Sequence, residues 1–478
     1  MRPSLSFCFA TALLLAPAAR AQQFAPNPKV DKIFAQWDKP TSPGCALGVL
    51  QSGRFIYERG YGMANLDYDI PNSPKMVYYV GSDSKQFTAA AIGLLALDGK
   101  IALNDDIRKY IPEMPDYGTP VTIDHLVHHM SGIRDVYGLM SLGGLRLEDV
   151  FSDSEAVALI ARQKELNFKP GDDYLYSNSG YFLLGQIVKR VTGKSLREFA
   201  DERIFGPLQM THTHFHDDPG HVMKQRAMSY EEDGKGSYRI SYLQNFDKIG
   251  AGGLYTSVED LRNWDENYYT HKVGGDALQK LIHTRGVLNK GDTIPYAFGN
   301  NVTTYRGLRV DEHGGSLMGY KAEILRFPDQ RFTVLTTCNL GSINPGPLAQ
   351  EVAEVYLGDR MGPKADRPVA GGARRGAGVV AAGASIASSA ELAAYAGDYY
   401  SEEVDATYHV AVSGGELVLS ARHMPAQKLV VAGPDSFRAG SLTLHFERAT
   451  PGTPPTAFSV EAGRVRNIRF VRRSSSGT

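Results

Sequence analysis

The sequence predicts an α/β fold of the α+β kind, an antiparallel β-sheet flanked by helices, followed by a small C-terminal antiparallel β-barrel. Strand-like runs occur near both ends of the first 360 residues, and helical patterns lie between them. This order of elements favours one sheet that joins the first and last strands, with the helices packed against it. Residues 391–478 contain only short alternating runs separated by turn residues, which is typical of a small barrel.

Hydrophobic periodicity predicts the individual elements of the large region. Apolar runs on either side of Ser52-Gly53 predict a β-hairpin with a two-residue turn, formed by residues 45–51 and 54–61. Three later runs are also strand-like: 316–318, 321–327 and 331–338. The predicted helices are 84–98, 124–130, 178–192, 257–269 and 346–357. The first of these helices is apolar nearly all round, so we expect it to be buried.

Residues 1–21 have the features of a secretory signal peptide. Arg2 precedes a short apolar run at 7–16, and Ala19-Arg20-Ala21 forms an A-x-A cleavage site. We therefore expect cleavage near Ala21 and a periplasmic or secreted location. No later run reaches the roughly 18 apolar residues of a membrane helix, so no transmembrane segment is expected in the mature chain.

Composition divides the rest of the chain into three parts. Residues 28–360 form the large mixed domain, residues 361–390 are rich in Gly, Ala and Ser and predict a flexible linker, and residues 391–478 form the barrel. The formal net charge of −1 gives no reason to expect nucleic acid or an anionic membrane as a partner. For Cys45 and Cys338 we expect two buried free thiols, with a single disulfide as the open alternative.

The tetrad Ser82-Asp83-Ser84-Lys85 is the strongest chemical signal in the sequence. A serine hydroxyl is a poor nucleophile at neutral pH and needs a neighbouring base. Residues three apart share one face of a helix, so Lys85 can reach Ser82. Lys85 can then act as the base if burial lowers its pKa. The tetrad by itself is weak evidence, because a helix-start serine followed by a solvated lysine has the same pattern.

Two later motifs strengthen the catalytic interpretation, Tyr176-Ser177-Asn178 and His313-Gly314-Gly315. Tyr176 is a second candidate base, because a cationic Lys85 beside it would favour the phenolate. Asn178 has the hydrogen-bonding groups to position Lys85 and a substrate amide. The two glycines would let a substrate backbone lie against the edge of a strand. Taken singly, Tyr176 fits a core residue at a helix-entry turn better than a catalytic one, and His313 fits a surface residue near a turn better.

The order S-x-x-K, Y-x-N, H-x-G resembles the serine β-lactamase and penicillin-binding-protein superfamily, and within it the class C, D-aminopeptidase and esterase-like branch. Neighbouring segments agree with this resemblance: Gly60-Tyr61-Gly62, His129-Met130-Ser131-Gly132 and Gly252-Gly253-Leu254. It covers about residues 28–360 and implies a β-lactamase/transpeptidase-like fold without a cofactor. The tail is similar to the lipocalin-like C-terminal domain appended to many of these hydrolases.

The resemblance also implies roles for particular residues. Ser82 would be the nucleophile, Lys85 and Tyr176 would share the role of base, and the backbone N–H groups of Ser82 and Ser316 would form the oxyanion hole. The implied substrate-binding residues are Asn178, His313, Gly314 and Gly315. The chain is thus expected to be an exported serine hydrolase that forms a Ser82 acyl-enzyme on an amide or ester, such as a D-amino-acid peptide, a β-lactam or a simple ester.

A different function class stays open, a penicillin- or muropeptide-binding sensor that is acylated without turnover. The expected partner is a small-molecule or peptide substrate, with peptidoglycan fragments among the alternatives, and the oligomeric state is open. Many relatives carry K-T-G where this chain has His313-Gly314-Gly315. Because histidine is mostly neutral at pH 7, this difference weakens the case for a substrate with a terminal carboxylate.

Two other motifs are given ordinary interpretations. His212, His214 and His216 alternate along an extended segment, and on one strand face they could hold zinc, but we expect solvated histidines and no metal site. Glu165-Leu166-Asn167 is similar to the deacylation motif of class A enzymes. It precedes Tyr176 instead of following it, so we expect an ordinary loop.

Overall fold

The computed structural model describes residues 26–241, 249–364 and 389–473. The predicted signal peptide and residues 365–388 of the predicted linker lie outside the described residues. The helices are α1 Pro28–Phe34, α2 Ser84–Leu97, α3 Ile123–Val127, α4 Val136–Leu142, α5 Asp153–Ala161, α6 Asn178–Thr192, α7 Leu196–Ala200, α8 Gly206–Leu208, α9 Val258–Thr270, α10 Gly275–Ile282, α11 Pro345–Leu357 and α12 Ser389–Ala393. Within the described part of the chain, none of these helices combines the length and apolar character needed to cross a membrane.

A six-stranded antiparallel sheet organises the large domain. Its strands are β1 Cys45–Gln51, β2 Arg54–Tyr61, β3 Asn301–Tyr305, β4 Leu308–Leu317, β5 Tyr320–Phe327 and β6 Phe332–Cys338. Their spatial order is β3-β4-β5-β6-β1-β2, so the first and last parts of the domain meet where β1 pairs with β6. This confirms the predicted hairpin and the predicted joining of the two chain ends.

The expectation of two free thiols is wrong. Cys45 and Cys338 lie directly opposite each other on β1 and β6, with their Cα atoms 4.0 Å apart, and they form a disulfide. The sequence shows two strand-borne cysteines but not the strand register that brings them together. The bridge links residues 293 positions apart and ties the first strand of the sheet to its last.

Helices cover both faces of the sheet. Helix α11 packs on β5 and β6, with α1 beside it, and α9 packs against β1 and β6 on the other face. Helix α2 packs on α6 and α10, and its residues from Ser84 to Leu95 are buried, as its sequence predicts. The helix predicted at 124–130 ends earlier, at Val127, because His129 has a left-handed backbone with φ 58°.

The C-terminal region forms one nine-stranded antiparallel sheet that curls into a barrel. Its strands are β7 Gly397–Ser401, β8 Ala406–Ser413, β9 Glu416–Ala421, β10 Met424–Lys428, β11 Val430–Gly433, β12 Ser436–Ala439, β13 Leu442–Glu447, β14 Ala457–Ala462 and β15 Val465–Arg472. The two edge strands, β10 and β11, follow each other in the chain. Leu429 is the only residue between these two strands. Buried aromatic rings, among them Tyr408, Phe458 and Phe470, fill the interior.

A buried ion pair attaches the barrel to the large domain. Arg134, two residues before α4, contacts the Glu403 carboxylate at 2.6 Å, and both side chains are buried. The same guanidinium donates to the backbone oxygens of Arg466 and Asn467 at 2.9 and 3.0 Å. Gln163 adds a hydrogen bond from Nε2 to the backbone oxygen of Glu403 at 2.8 Å. These contacts place one end of the barrel beside the loop that leads into α4.

Candidate active site

Ser82 lies in a short 3₁₀ turn, Gly81–Asp83, immediately before α2 instead of inside it. Gly81 has a φ of +55°, and a Cβ there would lie 2.5 Å from the Ser316 backbone nitrogen, so glycine is required at this position. The Ser84 hydroxyl donates to the Gly81 oxygen at 2.6 Å and accepts from the Leu254 N–H at 3.1 Å. These bonds hold the turn so that the Ser82 side chain faces the cleft.

Lys85 is fully buried and points at Ser82. Its Nζ is 3.1 Å from Ser82 Oγ, 3.0 Å from Asn178 Oδ1 and 2.6 Å from the Ala251 backbone oxygen. Burial lowers the pKa of Lys85 well below its ordinary value, although the nearby carboxylate of Asp135 acts in the opposite direction. The environment therefore favours a neutral amine beside the serine hydroxyl, which is the form that accepts a proton.

Tyr176 packs over Lys85, whose Nζ lies 4.8 Å from the centre of its ring. The Tyr176 hydroxyl is buried and makes no hydrogen bond of normal geometry with the described residues, although the Ser82 hydroxyl acts on its pKa. Burial raises the pKa of Tyr176 far above 10, and the nearby Ser82 and Arg464 side chains lower it only in part. The structure thus favours a neutral phenol in the resting site, not the phenolate that the sequence suggested.

Asn178 starts α6 and is held by a residue that the sequence analysis did not identify. Its backbone N–H and its Nδ2 both donate to Asp135 Oδ2, each at 2.8 Å. Asp135 also caps α4, since its other oxygen accepts from the Tyr137 N–H at 3.0 Å. Asp135 therefore fixes the orientation of the Asn178 amide, so that Oδ1 is directed at Lys85.

His313 lies on β4 and is 5% exposed. Its Nε2 is 3.1 Å from the Tyr296 hydroxyl, and its Nδ1 is 2.8 Å from the Gly314 backbone oxygen and 3.7 Å from Asp83 Oδ1. His313 is thus a buried member of a polar cluster beside the Ser82 turn and not a surface histidine.

The β4 backbone lies against the Ser82 turn. A Cβ on Gly315 would overlap the Val80 carbonyl oxygen and come within 3.1 Å of the Ser82 backbone nitrogen. The Ser316 backbone nitrogen lies 2.5 Å from the position that a Cβ on Gly81 would take. The two nitrogens thus lie on adjoining backbone segments, one in the turn and one in the strand.

These residues line a cleft of 820 Å³ that also contains a residue of the barrel. Gly463 and Arg464 form the turn between β14 and β15, and the Arg464 guanidinium lies 4.6 Å from the Tyr176 ring centre. Its Nη1 is 3.9 Å from Asp135 Oδ2, and its backbone oxygen accepts from Asn167 Nδ2 at 2.9 Å. The site is therefore built from both domains, and Arg464 places a guanidinium group in the cleft.

The histidines considered for zinc do not converge as the alternation suggested. Nε2 of His214 is 3.1 Å from Nδ1 of His216, whereas His212 lies near Asp260, 3.8 Å away. Burial lowers the pKa of both His214 and His216 to about 4. Among the described residues, no group of three or more His, Cys, Asp or Glu side chains is arranged to hold a metal ion.

Several residues in or beside the cleft gave no functional signal in the sequence: Asp135, Tyr296, Glu323 and Arg464 line it, and Asp83 is buried next to His313. Each is an ordinary polar residue whose place in the site depends on the tertiary fold. The segment Glu165-Leu166-Asn167 is not part of the cleft lining, and Asn167 instead binds the barrel turn. Only a fold that brings residues 135, 178 and 464 together identifies them.

Comparison with known proteins agrees with this geometry. Residues 30–358 match the family model described as Beta-lactamase. The D-aminopeptidase of Gluconobacter oxydans (strain 621H) is 29% identical over 297 residues, which are 62% of this chain and 56% of that protein. The D-aminopeptidase of Brucella canis is 26% identical over 316 residues, covering 66% of this chain and 60% of the relative. The chain thus spans a little over half the length of these curated relatives.

Solved structures have the same fold. The octameric penicillin-binding protein homologue from Pyrococcus abyssi matches 93% of this chain and 99% of its own, with a TM-score of 0.63 and 23% identity. The D-amino acid amidase from Ochrobactrum anthropi SV3 matches 70% of this chain and 100% of its own, with a TM-score of 0.59 and 19% identity. With the family match over residues 30–358, these findings show that the chain belongs to the beta-lactamase family.

Proposed function

We propose that this protein is a serine hydrolase that cleaves amide bonds through an acyl-enzyme on Ser82. The observation that carries the proposal is the fully buried Lys85 amine, 3.1 Å from the Ser82 hydroxyl. A desolvated neutral amine at hydrogen-bond distance is a competent general base for a serine nucleophile. Asn178 and the Ala251 oxygen orient that amine, so its lone pair and its protons have defined directions.

The reaction proceeds in two acyl-transfer steps. Ser82 Oγ attacks the carbonyl carbon while its proton passes to Lys85 Nζ, and the oxyanion receives hydrogen bonds from the N–H groups of Ser82 and Ser316. Collapse breaks the carbon–nitrogen bond, and the leaving amine takes a proton from the Lys85–Tyr176 pair. Water then attacks the acyl-enzyme and releases the acid. Tyr176 acts as a neutral proton donor and relay, which fits its raised pKa.

We infer that the acyl group is that of a D-amino acid, in an amide or a short peptide. A D-aminopeptidase among the relatives and a D-amino acid amidase among the solved neighbours support this substrate class. Simple esters and β-lactams are further candidates, since the same acyl-enzyme chemistry opens both. Arg464 weakens the argument against carboxylate-bearing substrates, because a permanent cation stands in the cleft although position 313 is histidine.

Export to an oxidising compartment is part of the proposal. The disulfide between Cys45 and Cys338 supports it, because structural disulfides persist mainly in exported proteins. Cell fractionation of the full chain, with immunodetection in the periplasm and in the medium, tests this point. Retention of the whole chain in the cytoplasm with its leader uncleaved would contradict it.

The Ser82→Ala variant tests the chemistry. Purified protein is assayed on D-alanine p-nitroanilide, p-nitrophenyl acetate, nitrocefin and a D-Ala-D-Ala peptide, and labelled in parallel with a fluorescent fluorophosphonate. We expect hydrolysis of the D-alanine anilide, and loss of all turnover and labelling in Ser82→Ala, with a rate loss on the order of 10⁶. Ser141→Ala, at an exposed serine, is the matched control.

Two results would contradict the proposal in different ways. Turnover by Ser82→Ala at the wild-type rate would remove Ser82 from the chemistry. Rapid labelling of Ser82 without turnover of any substrate would instead favour the sensor function, in which the acyl-enzyme persists.

A further inference from the structure

The cleft contains a carboxyl group for which the proposed acyl transfer has no use. Glu323 lies on β5 directly opposite Gly314 of β4, and it lines the same cleft as Ser82. The residue is only 9% exposed. Within residues 26–241, 249–364 and 389–473, no side chain or backbone N–H donates a hydrogen bond to its carboxyl group. An acid without a partner at the wall of a cleft is available to a polar or cationic group of a ligand.

The absence of a side chain at Gly314 gives this carboxyl its position. A Cβ on Gly314 would lie 2.8 Å from Glu323 Oε2, so the acid occupies the space that any larger residue at 314 would take. Gly346, at the start of α11, is similarly close, with a Cβ position 3.2 Å from the same oxygen. The next residue along β4, Gly315, adjoins the Ser82 nitrogen. Glu323 and the Ser82 turn therefore contact consecutive residues of β4, from opposite faces of the strand, and both line the cleft.

The surroundings of Glu323 select a cation. Lys321, two residues away on the same strand, directs its amine to the Ser316 hydroxyl at 2.8 Å and does not pair with Glu323. The nearby charges are the acids Asp83 and Glu312, and together with the dominant burial effect they raise the pKa of Glu323 well above its ordinary value. An ammonium group placed against this carboxyl would favour its ionised form and form a charge-assisted hydrogen bond.

We propose that Glu323 is the receptor for the free amino group of the substrate, so that the cleft selects acyl groups carrying an unblocked ammonium. This inference rests on the proposed amide hydrolysis at Ser82. In an aminoacyl substrate the ammonium is two bonds from the carbonyl carbon that Ser82 attacks, and among the described residues Glu323 is the carboxyl without a partner that lines the same cleft as Ser82. Glu323 is a specificity residue with no part in the bond-breaking steps.

Paired substrates test this inference directly. The kcat/KM of D-alanine p-nitroanilide is compared with that of N-acetyl-D-alanine p-nitroanilide, in wild type and in Glu323→Gln. We expect wild type to prefer the free amine and Glu323→Gln to reduce this preference by about 10- to 100-fold, with little change on the acetylated substrate. At about 1.4 kcal/mol per decade this is about 1.4–2.8 kcal/mol. Glu312→Gln, a nearby carboxyl that does not line the cleft, is the matched control.

The outcomes separate this inference from the proposed function. If wild type hydrolyses the anilides and Glu323→Gln leaves the preference unchanged, Glu323 is not the amine receptor while the hydrolase proposal stands. If no anilide is hydrolysed, binding is measured instead. D-alaninamide is tested for its ability to protect Ser82 from fluorophosphonate labelling, and N-acetyl-D-alaninamide is the comparison. Protection by the free amine that is lost in Glu323→Gln still supports the inference, and equal protection in both proteins overturns it. Labelling of unprotected Glu323→Gln at the wild-type rate shows that the variant is folded.

Discussion

Lys85 carries an ionisable amine but is fully buried, and the proposed chemistry of the site depends on this burial. Its amine has three oxygen neighbours, from Ser82, Asn178 and Ala251, and no carboxylate in direct contact among the described residues. Burial therefore outweighs the more distant Asp135, and the pKa of Lys85 falls. The same burial raises the pKa of Tyr176, so the environment favours the neutral form of both groups.

Because both groups serve the same proton, their loss should not be additive. We expect Lys85→Ala and Tyr176→Phe each to slow acylation of Ser82 by about 10²- to 10⁴-fold. The double variant should be no slower than the worse single variant. Single-turnover acylation rates measure this, with the exposed Lys109→Ala as control. A double-variant loss equal to the product of the single losses would mean that the two groups act independently.

Asp83 makes the stability of the protein depend on pH. It is fully buried, and burial raises its pKa to about 6, an effect that His313 only partly offsets. An acid whose pKa is higher in the folded state adds stability below its unfolded pKa, near 4, and that stability is lost as the pH rises through 6. The shift corresponds to about 3 kcal/mol.

We therefore expect the stability of Asp83→Asn to increase relative to that of wild type as the pH rises. The free energy of unfolding of the variant minus that of wild type should increase by about 3 kcal/mol between pH 4 and pH 7. Urea unfolding at four or five pH values provides the measurement. Parallel curves for the two proteins would show that Asp83 does not titrate in this range.

Among the secondary structure elements, strand β4 and the 3₁₀ turn Gly81–Asp83 form the part of the site that tolerates least change. Their backbones touch through Gly81 and Gly315, and this contact sets the separation of the two backbone nitrogens that we propose to serve the oxyanion. Side chains can adjust by changing rotamer, but two backbones in contact can separate only if the strand moves.

Gly315→Ala tests this contact. The added Cβ would overlap the Val80 carbonyl oxygen and push β4 away from the turn. A displacement of about 1 Å in such a site costs about 100-fold in rate, so we expect kcat to fall by about that factor while the protein remains folded. Gly358→Ala, where a Cβ meets nothing within 4 Å, is the control. Wild-type kcat in Gly315→Ala would exclude the proposed oxyanion geometry.

In the whole molecule, the barrel completes the catalytic cleft. The Gly463-Arg464 turn enters the cleft, and the Arg134–Glu403 ion pair that attaches the barrel lies next to Asp135, which orients Asn178. Adjacent residues thus attach the barrel and position the site, so detachment of the barrel should disturb the chemistry as well as the stability.

Removing one partner of the buried ion pair should be more damaging than removing both. Arg134→Ala leaves the Glu403 carboxylate buried and unpaired, and we expect it to lower the free energy of unfolding by about 3–5 kcal/mol and to reduce kcat/KM. Arg134→Met combined with Glu403→Gln should recover part of the lost stability. Denaturant unfolding and steady-state kinetics measure both effects. Full activity in a stably folded Arg134→Ala protein would show that the site does not depend on this attachment.

Local patterns in the sequence were enough to predict the beta-lactamase family, the mixed fold, the hairpin at 45–61 and the buried helix after Ser82. Periodicity, turn residues and the three-residue spacing of Ser82 and Lys85 all act over short distances along the chain. Other features depend on residues that are far apart in the chain. These are the Cys45–Cys338 disulfide, the Asp135–Asn178 contact, the position of Glu323 in the cleft and the entry of Arg464 into it. Strand register and domain attachment determine these contacts. Burial, which sets the protonation of Lys85 and Tyr176, exists only once the chain has packed.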